Sequence, residues 1–253
     1  MKKPDEGRLR VVIENVRPQI DGGRFPAKRV VGERVTVEAD IFADGHEVLS
    51  AVLLYRKEGD SPWSEIPMEP LVNDRWRGAF EVVKLGAYRY TLQAWPDRFA
   101  TWRQGLGKKV EAGQDVAVDL LSGAELVQQA TKRAITTDKK QLQEFVSLLR
   151  SKRAAASEGA LSAELAALMT KYPDRSGAVL YDKELTVSVD REKARFSAWY
   201  EMFPRSCASN PGAHGTFQDC EQRLSYIAGM GFDVLYLPPI HPIGRSFRKG
   251  KNN

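Results

Sequence analysis

The chain has 253 residues, with 38 Lys and Arg against 33 Asp and Glu, which gives a net charge of +5. A hydrophobic content of 42% and a charged content of 28% are ordinary for a globular protein, and the length suits one large domain or two medium ones. We interpret the mild positive charge as a contribution to solubility and not as a sign of affinity for anionic ligands. It is concentrated after Tyr236, where basic residues occur without any carboxylate.

The composition argues against several classes of protein. Two cysteines, Cys207 and Cys220, cannot build a disulfide framework, and three histidines without a paired-cysteine motif argue against a zinc site. The N-terminus is charged and lacks the apolar core of a signal peptide. No apolar run approaches the roughly 18 residues of a membrane span. We therefore expect a cytoplasmic protein with no metal, no cofactor and no membrane partner.

Short stretches that alternate apolar and polar residues run from Leu9 to Leu120, separated by turn residues such as Asp44-Gly45. A period of two puts one face of each strand in a core and the other in water. This pattern predicts an antiparallel β-sandwich of the immunoglobulin or fibronectin type III kind. The predicted strands are Leu9–Val16, Val35–Phe42, Ala51–Lys57, Trp76–Val83, Tyr88–Trp95 and Lys108–Leu120.

Aromatic residues of this region have two interpretations. Tyr88 follows Leu85-Gly86 and is either a tyrosine corner or a half-buried strand residue. Trp76 and Trp95 lie within strands, which favours core packing, whereas Trp102 is the best candidate for a contact with sugar or protein.

From Ser122 the period becomes helical. Ser122 with Glu125 resembles a capping box, Asp138 is a candidate cap for a second helix, and Ser162 for a third that ends before Pro173. We predict a small helical bundle over 122–173. Its basic residues indicate a solvated face in preference to a nucleic-acid site, because neither a reading helix nor interleaved aromatic residues accompany them.

Alternation returns at Leu185–Val189, which we interpret as a strand that rejoins the sandwich. The sandwich would then comprise residues 1–121 and 177–191, with the bundle inserted between two of its strands.

The last part of the chain, 195–253, has the pattern strand, helix, strand. Phe196–Phe203 has large residues on both faces, as in a strand buried on each side. A cap with the pattern Thr216-x-x-Asp219 starts the helix, and Gly231 precedes a second strand, Phe232–Leu237. Such βαβ units are parallel almost without exception. In a barrel, the chemistry lies on loops after the strand ends, here Pro204–Gly215 and the segment from Pro238 onward.

Two stretches of this part of the chain resemble a known protein family. Y-E-M-F-P-R-S, followed by G-F-D-V-L-Y-L-P-P-I-H-P-I-G, is similar to the first two barrel strands of the α-amylase superfamily, glycoside hydrolase family 13. The ending H-P-I-G-R-S-F-R-K-G-K-N-N narrows the resemblance to the bacterial maltosyltransferases that extend α-1,4-glucans from maltose 1-phosphate. That family has an N-terminal β-sandwich, a helical bundle inserted into it, and then a (β/α)8 TIM barrel.

The resemblance implies a retaining double displacement, in which an aspartate attacks the anomeric carbon and a glutamate exchanges the proton. The family's catalytic carboxylates follow later barrel strands, so none is matched here. Glu201 lies on a barrel strand but is a lone carboxylate. Lys249 and Asn253 match positions that contact the donor disaccharide or its phosphate, and Arg248 is a second-choice contact.

The resemblance therefore implies an N-terminal fragment with an incomplete barrel, which we expect to be inactive alone. It also implies that the full enzyme binds maltose 1-phosphate and α-1,4-glucan and forms a homodimer through its N-terminal domain. His241 either points into the site or packs its loop. Two alternatives remain open. One is a non-catalytic carbohydrate-binding or dimerisation module, and the other is a fragment of a different α-amylase-family enzyme.

Overall fold

The computed structural model describes residues 10–151, 155–241 and 244–247. The chain divides into two compact units, Met1–Val189 and Asp190–Asn253. The strands are β1 (Val11–Arg17), β2 (Ala27–Val30), β3 (Arg34–Ala43), β4 (Leu49–Lys57), β5 (Ser64–Pro67), β6 (Glu69–Pro70), β7 (Arg75–Glu81), β8 (Gly86–Pro96), β9 (Val179–Leu180), β10 (Leu185–Asp190), β11 (Trp199–Glu201) and β12 (Val234–Tyr236). The helices are α1 (Arg98–Glu111), α2 (Ala117–Ala130), α3 (Thr136–Arg150), α4 (Ala155–Leu161), α5 (Ala163–Lys171), α6 (Phe217–Gln222) and α7 (Leu224–Gly229).

Two sheets share one core in the first unit. One has the strand order β1-β3-β7-β6, and the other has the order β2-β10-β8-β4-β5 with β9 paired to β8. The alternation predicted from sequence is visible in β3, where Val35, Val37, Ala39 and Ile41 are buried and the residues between them are not. Side chains from both sheets meet in the same core, because each sheet buries one face.

Two buried tyrosines keep their hydroxyl groups bonded to backbone. The Tyr88 hydroxyl accepts a hydrogen bond of 3.1 Å from the Lys84 N–H. The Tyr90 hydroxyl donates to the Pro18 carbonyl oxygen. Burial raises the pKa of Tyr90, because the phenolate would lose its hydration. These bonds allow both rings to lie in the core without an unsatisfied hydroxyl.

The strand predicted over Lys108–Leu120 is wrong, because the segment holds the end of α1 and the start of α2. Helix α1 begins after Asp97, whose carboxylate accepts a hydrogen bond of 2.8 Å from the Ala100 N–H. The turn that joins the two helices interrupts the helical pattern there, and the remaining alternation imitates a strand.

The helices extend from Arg98 to Lys171, so they begin earlier than the predicted residue 122. Ser122 lies inside α2, where its hydroxyl donates to the Val118 carbonyl at 3.1 Å, so the predicted cap is wrong. Asp138 also fails as a cap, since it lies within α3 and accepts a hydrogen bond of 2.9 Å from the Tyr172 hydroxyl.

Ser162 is confirmed as the cap of α5, with its hydroxyl accepting from the Leu165 N–H at 3.2 Å. The five helices described in the first unit pack around a common core. Predicted members of that core that are buried are Leu142, Phe145, Val146, Leu149, Leu165, Leu168 and Met169.

The return of the chain to the sheet is confirmed. β9 pairs with β8 with Val179 opposite Ala94, and β10 pairs antiparallel with β8 with Val187 opposite Tyr88. The helices therefore lie between two neighbouring strands of one sheet.

In the second unit, β11 and β12 are parallel, with Tyr200 opposite Leu235. Thr216 and Asp219 form the predicted capping box at the start of α6, and Gly231 has the expected left-handed φ of 88°. Burial of the first strand on both sides is not found. The strand is only Trp199–Glu201, and Phe196 is 83% exposed.

Candidate functional site

The segments that follow β11 and β12 lie at one edge of the second unit, because the two strands are parallel. The first segment forms a 3-10 turn over Pro204–Cys207 and then a loop. The Gly215 N–H closes this loop by donating to the Arg205 carbonyl at 3.0 Å. The Met202 N–H donates to the Tyr236 carbonyl at 3.2 Å, which ties the two strand ends together. Both predicted loops therefore start from a fixed edge.

The predicted donor-site residues, Arg248, Lys249 and Asn253, lie outside the described residues, and their assignment stays a prediction. His241 is described and is exposed at the start of the second segment. Its two alternative roles therefore remain open.

Two carboxylates of the second unit have structural roles. Two hydrogen bonds from Thr216 lower the pKa of Asp219, and the one from its hydroxyl has a larger effect than the one from its N–H. A hydrogen bond of 2.6 Å from Lys193, together with the Ala198 N–H, lowers the pKa of Asp233. Both carboxylates are ionised at neutral pH and engaged in fixing the backbone, so neither serves as a general acid. Glu201 is exposed on β11.

The first unit contains a cleft of about 580 Å³ beside strand β7. Glu38 and Arg77 form an ion pair of 2.7 Å on its wall. The lining residues are Arg34, Thr36, Glu38, Ile66, Pro67, Glu69, Arg77, Gly78 and Ala79. Sequence reasoning missed this cleft. The alternation of β3 already put Arg34, Thr36 and Glu38 on the outward face, but the position of β5 and β6 beside them could not be predicted.

A smaller cavity of about 80 Å³ lies where the chain leaves β8 and returns from α5. Asp97, at its rim, accepts hydrogen bonds from the Ser50 hydroxyl and the Ala100 N–H. Asp174, on the other side, has its pKa lowered chiefly by the Ser176 N–H. These carboxylates already have partners within the chain, so they stabilise the junction between sheet and helices and do not form a binding site.

Three tryptophans of the first unit pack against its sheets or helices. Trp76 and Trp95 are buried, as predicted, and the Trp76 indole N–H donates to the Ile41 carbonyl at 3.0 Å. Trp102 is not an exposed contact residue. Its indole N–H donates to the Asp119 carbonyl at 2.8 Å, and its ring lies against Gly123. The prediction for Trp102 is therefore wrong, because Trp102 lies in α1 and packs against α2.

Among the described residues, no group of three or more His, Cys, Asp or Glu side chains is placed to hold a metal ion. In the same part of the chain, no helix is long and apolar enough to cross a membrane.

Comparison with known proteins places these features in context. The family model described as "Alpha-1,4-glucan:maltose-1-phosphate maltosyltransferase, domain N/S" matches residues 9–191. A protein of that name from Chlorobaculum tepidum is 54% identical over 254 residues, covering 100% of this chain and 38% of its own length. Proteins of the same name from Myxococcus xanthus and Methylacidiphilum infernorum are 51% and 45% identical, covering 96% and 99% of this chain. The chain spans 38% of the length of each of these relatives.

Proposed function

Because this chain belongs to the family of α-1,4-glucan:maltose-1-phosphate maltosyltransferases, we propose that it forms the N-terminal part of an enzyme that moves maltosyl units from maltose 1-phosphate to the non-reducing end of α-1,4-glucans. The observation that carries this proposal is the family match over residues 9–191, together with relatives that cover the whole chain. We place this enzyme in the bacterial cytoplasm, where it takes part in α-glucan synthesis.

The proposal includes a finer description of the fold. The two sheets around one core, and the Tyr88 hydroxyl bonded to backbone upstream, support a sandwich of immunoglobulin or fibronectin type III kind. The helical bundle is an insertion into that sandwich, starting at Arg98 and not at 122. The parallel pair β11–β12, joined through α6 and α7, supports the first βαβ unit of a (β/α)8 barrel over 195–253.

The chemistry of such an enzyme is a retaining double displacement. An aspartate attacks C1 of the donor, the bond from C1 to the phosphate oxygen breaks, and a glutamate gives its proton to the departing phosphate. The glutamate then takes the proton of an acceptor hydroxyl, whose oxygen displaces the aspartate. We assign these carboxylates to the part of the relatives that this chain does not span. The contribution of this chain is donor binding through Lys249, Asn253 and Arg248.

The experiment is phosphate release from maltose 1-phosphate with glycogen as acceptor. The purified 253-residue chain is expected to release no phosphate, whereas a polypeptide that continues through the length of the relatives should release it. In that longer polypeptide, Lys249→Ala should raise KM for maltose 1-phosphate about tenfold, the loss of roughly one charge-assisted hydrogen bond. Lys251→Ala is the matched control. Release by the 253-residue chain, or equal KM values for the two variants, would contradict the proposal.

Homodimer formation through the N-terminal unit is a separate proposal. Sedimentation of residues 1–190 distinguishes a monomer from a dimer, and retention on immobilised α-glucan separately tests the alternative of a non-catalytic carbohydrate-binding module. The cleft of about 580 Å³ beside β7 is the feature of this unit that supports such a module.

A further inference from the structure

The two cysteines of the chain share one buried cluster. Cys207 is 5% exposed and Cys220 is 4% exposed, and both pack with Met202 and Ile227. Cys207 ends the 3-10 turn after β11, and Cys220 lies in α6. Because the turn packs against α6, the two cysteines fall in one cluster although 12 residues separate them in sequence.

The backbone around the pair fixes its position. At Gly215 the chain passes so close to the Pro204 carbonyl that a β-carbon would clash with it, and the Ala208 nitrogen would be only 2.7 Å away. The capping box of Thr216 and Asp219 then sets the start of α6 immediately before Cys220. A tight crossing followed by a defined helix start holds both cysteines in this cluster.

Both thiols are buried, so neither is directed at solvent. The Cys207 sulfur lies 3.4 Å from the Phe203 carbonyl oxygen, to which its S–H donates, and 3.8 Å from the Met202 sulfur. Burial raises the pKa of the Cys220 thiol, and the hydrogen bond with Cys207 acts in the same direction. A thiol with a raised pKa is a poor attacking nucleophile, so Cys220 takes the role of the resolving thiol and Cys207 that of the attacking thiol.

We propose that Cys207 and Cys220 form a reversible disulfide bond that fixes α6 to the turn after β11. The oxidant is a hydroperoxide. The Cys207 thiol, as its thiolate, attacks an oxygen of hydrogen peroxide, the O–O bond breaks, and a sulfenic acid forms with loss of water. The second thiol displaces the hydroxyl group as a second water, so two thiols and hydrogen peroxide give one disulfide and two waters. A dithiol reverses the step by exchange.

The disulfide would close the loop over 208–219 covalently and remove the S–H donor from the Phe203 carbonyl. An effect of the disulfide on activity rests on the proposed function, because loops at the carboxyl ends of barrel strands hold the substrate. The disulfide itself is independent of that function and is measured separately from it.

The test uses the full chain, treated with hydrogen peroxide, quenched, denatured, alkylated with iodoacetamide and digested with trypsin. Both cysteines fall in one tryptic peptide, Ser206–Arg223, which has no internal Lys or Arg. The expected result is that this peptide loses both alkyl groups and is lighter than the reduced peptide by two hydrogens. Dithiothreitol should restore double alkylation.

Two variants serve as controls, Cys207→Ser and Cys220→Ser, each checked for folding by circular dichroism. Neither should show the loss of two hydrogens, and Cys220→Ser should instead accumulate a sulfenic or sulfinic acid at Cys207. Double alkylation of the oxidised wild-type chain, sulfinic acid in place of the disulfide, or peptides cross-linked between two chains would each overturn the proposal. These readouts do not depend on maltosyl transfer, so failure here and failure of the proposed function are distinguishable.

Discussion

Arg175 lies with its guanidinium over the ring of Trp95, with 4.5 Å between the guanidinium carbon and the ring centroid. Its two terminal nitrogens donate to the two carboxylate oxygens of Glu65 at 2.9 and 2.7 Å. Arg175 belongs to the segment that returns from α5, whereas Trp95 and Glu65 belong to the sheet. One side chain thus fastens the return of the helical insertion to the sheet through a paired ionic contact and a cation–π contact.

Replacing Arg175 tests this fastening. We expect Arg175→Ala to lower the free energy of unfolding by about 1–2 kcal/mol, since a two-point hydrogen bond and a stacked cation are both lost. Arg175→Lys should lose about half of that, because an ammonium keeps the charge without the planar fork. Urea unfolding measures both values. The control is Arg98→Lys, whose exposed side chain lies 3.9 Å from Asp174 and should change stability little. Equal effects at the two arginines would contradict the assignment.

Glu65 gives the contact a pH dependence. The hydrogen bonds from Arg175 lower the pKa of Glu65 below its ordinary value of 4.5. A carboxylate with a lowered folded pKa contributes stability above its unfolded pKa, and this contribution is lost as the pH falls through the folded pKa. The stability difference between wild type and Glu65→Gln should therefore be constant at neutral pH and shrink as the pH falls below 4.5. Thermal unfolding across this range measures it, and a difference that grows on acidification would refute the argument.

Gly123 is required by the ring of Trp102. A β-carbon at Gly123 would lie far inside contact distance of that ring. Gly123→Ala should therefore destabilise the protein by about 1–3 kcal/mol through overpacking, despite the higher helix propensity of alanine. Gly105 is the matched control, because it also lies in a helix and a β-carbon added there would meet no atom within 4 Å. Gly105→Ala should stabilise by up to about 1 kcal/mol. Unfolding in guanidinium measures both changes in the free energy of unfolding, and changes of the same sign in the two variants would contradict the explanation.

Much of the fold follows from sequence where one face of an element is buried. The alternation in β3 identifies Val37 and Ile41 as core residues because the pleat repeats every two residues. The same reasoning fails at Lys108–Leu120, since a turn between two helices breaks the helical period. β5 and β6 are short and carry Pro67 and Pro70, which weaken any strand signal.

The contacts that define sites were less predictable. Arg175 and Glu65 are 110 positions apart, and no local pattern connects them. Cys207 and Cys220 come together only because Gly215 permits a close crossing of the chain. In both cases the spacing in sequence carries no information, and tertiary packing decides which polar or reactive groups meet.

Limited proteolysis tests the division into two units. The segment over 191–196 is exposed, and it contains Arg191, Lys193 and Arg195. We expect trypsin to cut there before it cuts within the sheets or helices over 11–189, because cleavage requires local opening of the backbone. Mass spectrometry of the early digest should show a product ending near residue 191. Early cleavage within α1 or α3 instead would contradict the compactness of the first unit.

The pairing of β9 with β8 has an architectural consequence. Val179 lies opposite Ala94, so the five helices between them are, in topology, the loop of a β-hairpin that has grown to the size of a domain. The two paired strands of a hairpin fix both ends of the segment inserted between them. Each doubling of the length of such a closed loop costs only about 0.6 kcal/mol of free energy. Loop-closure entropy therefore places little limit on the length of the segment that can be inserted at this position. For protein engineering, this hairpin is an attachment point at which the bundle can be shortened, replaced or removed while the strands on either side keep their register.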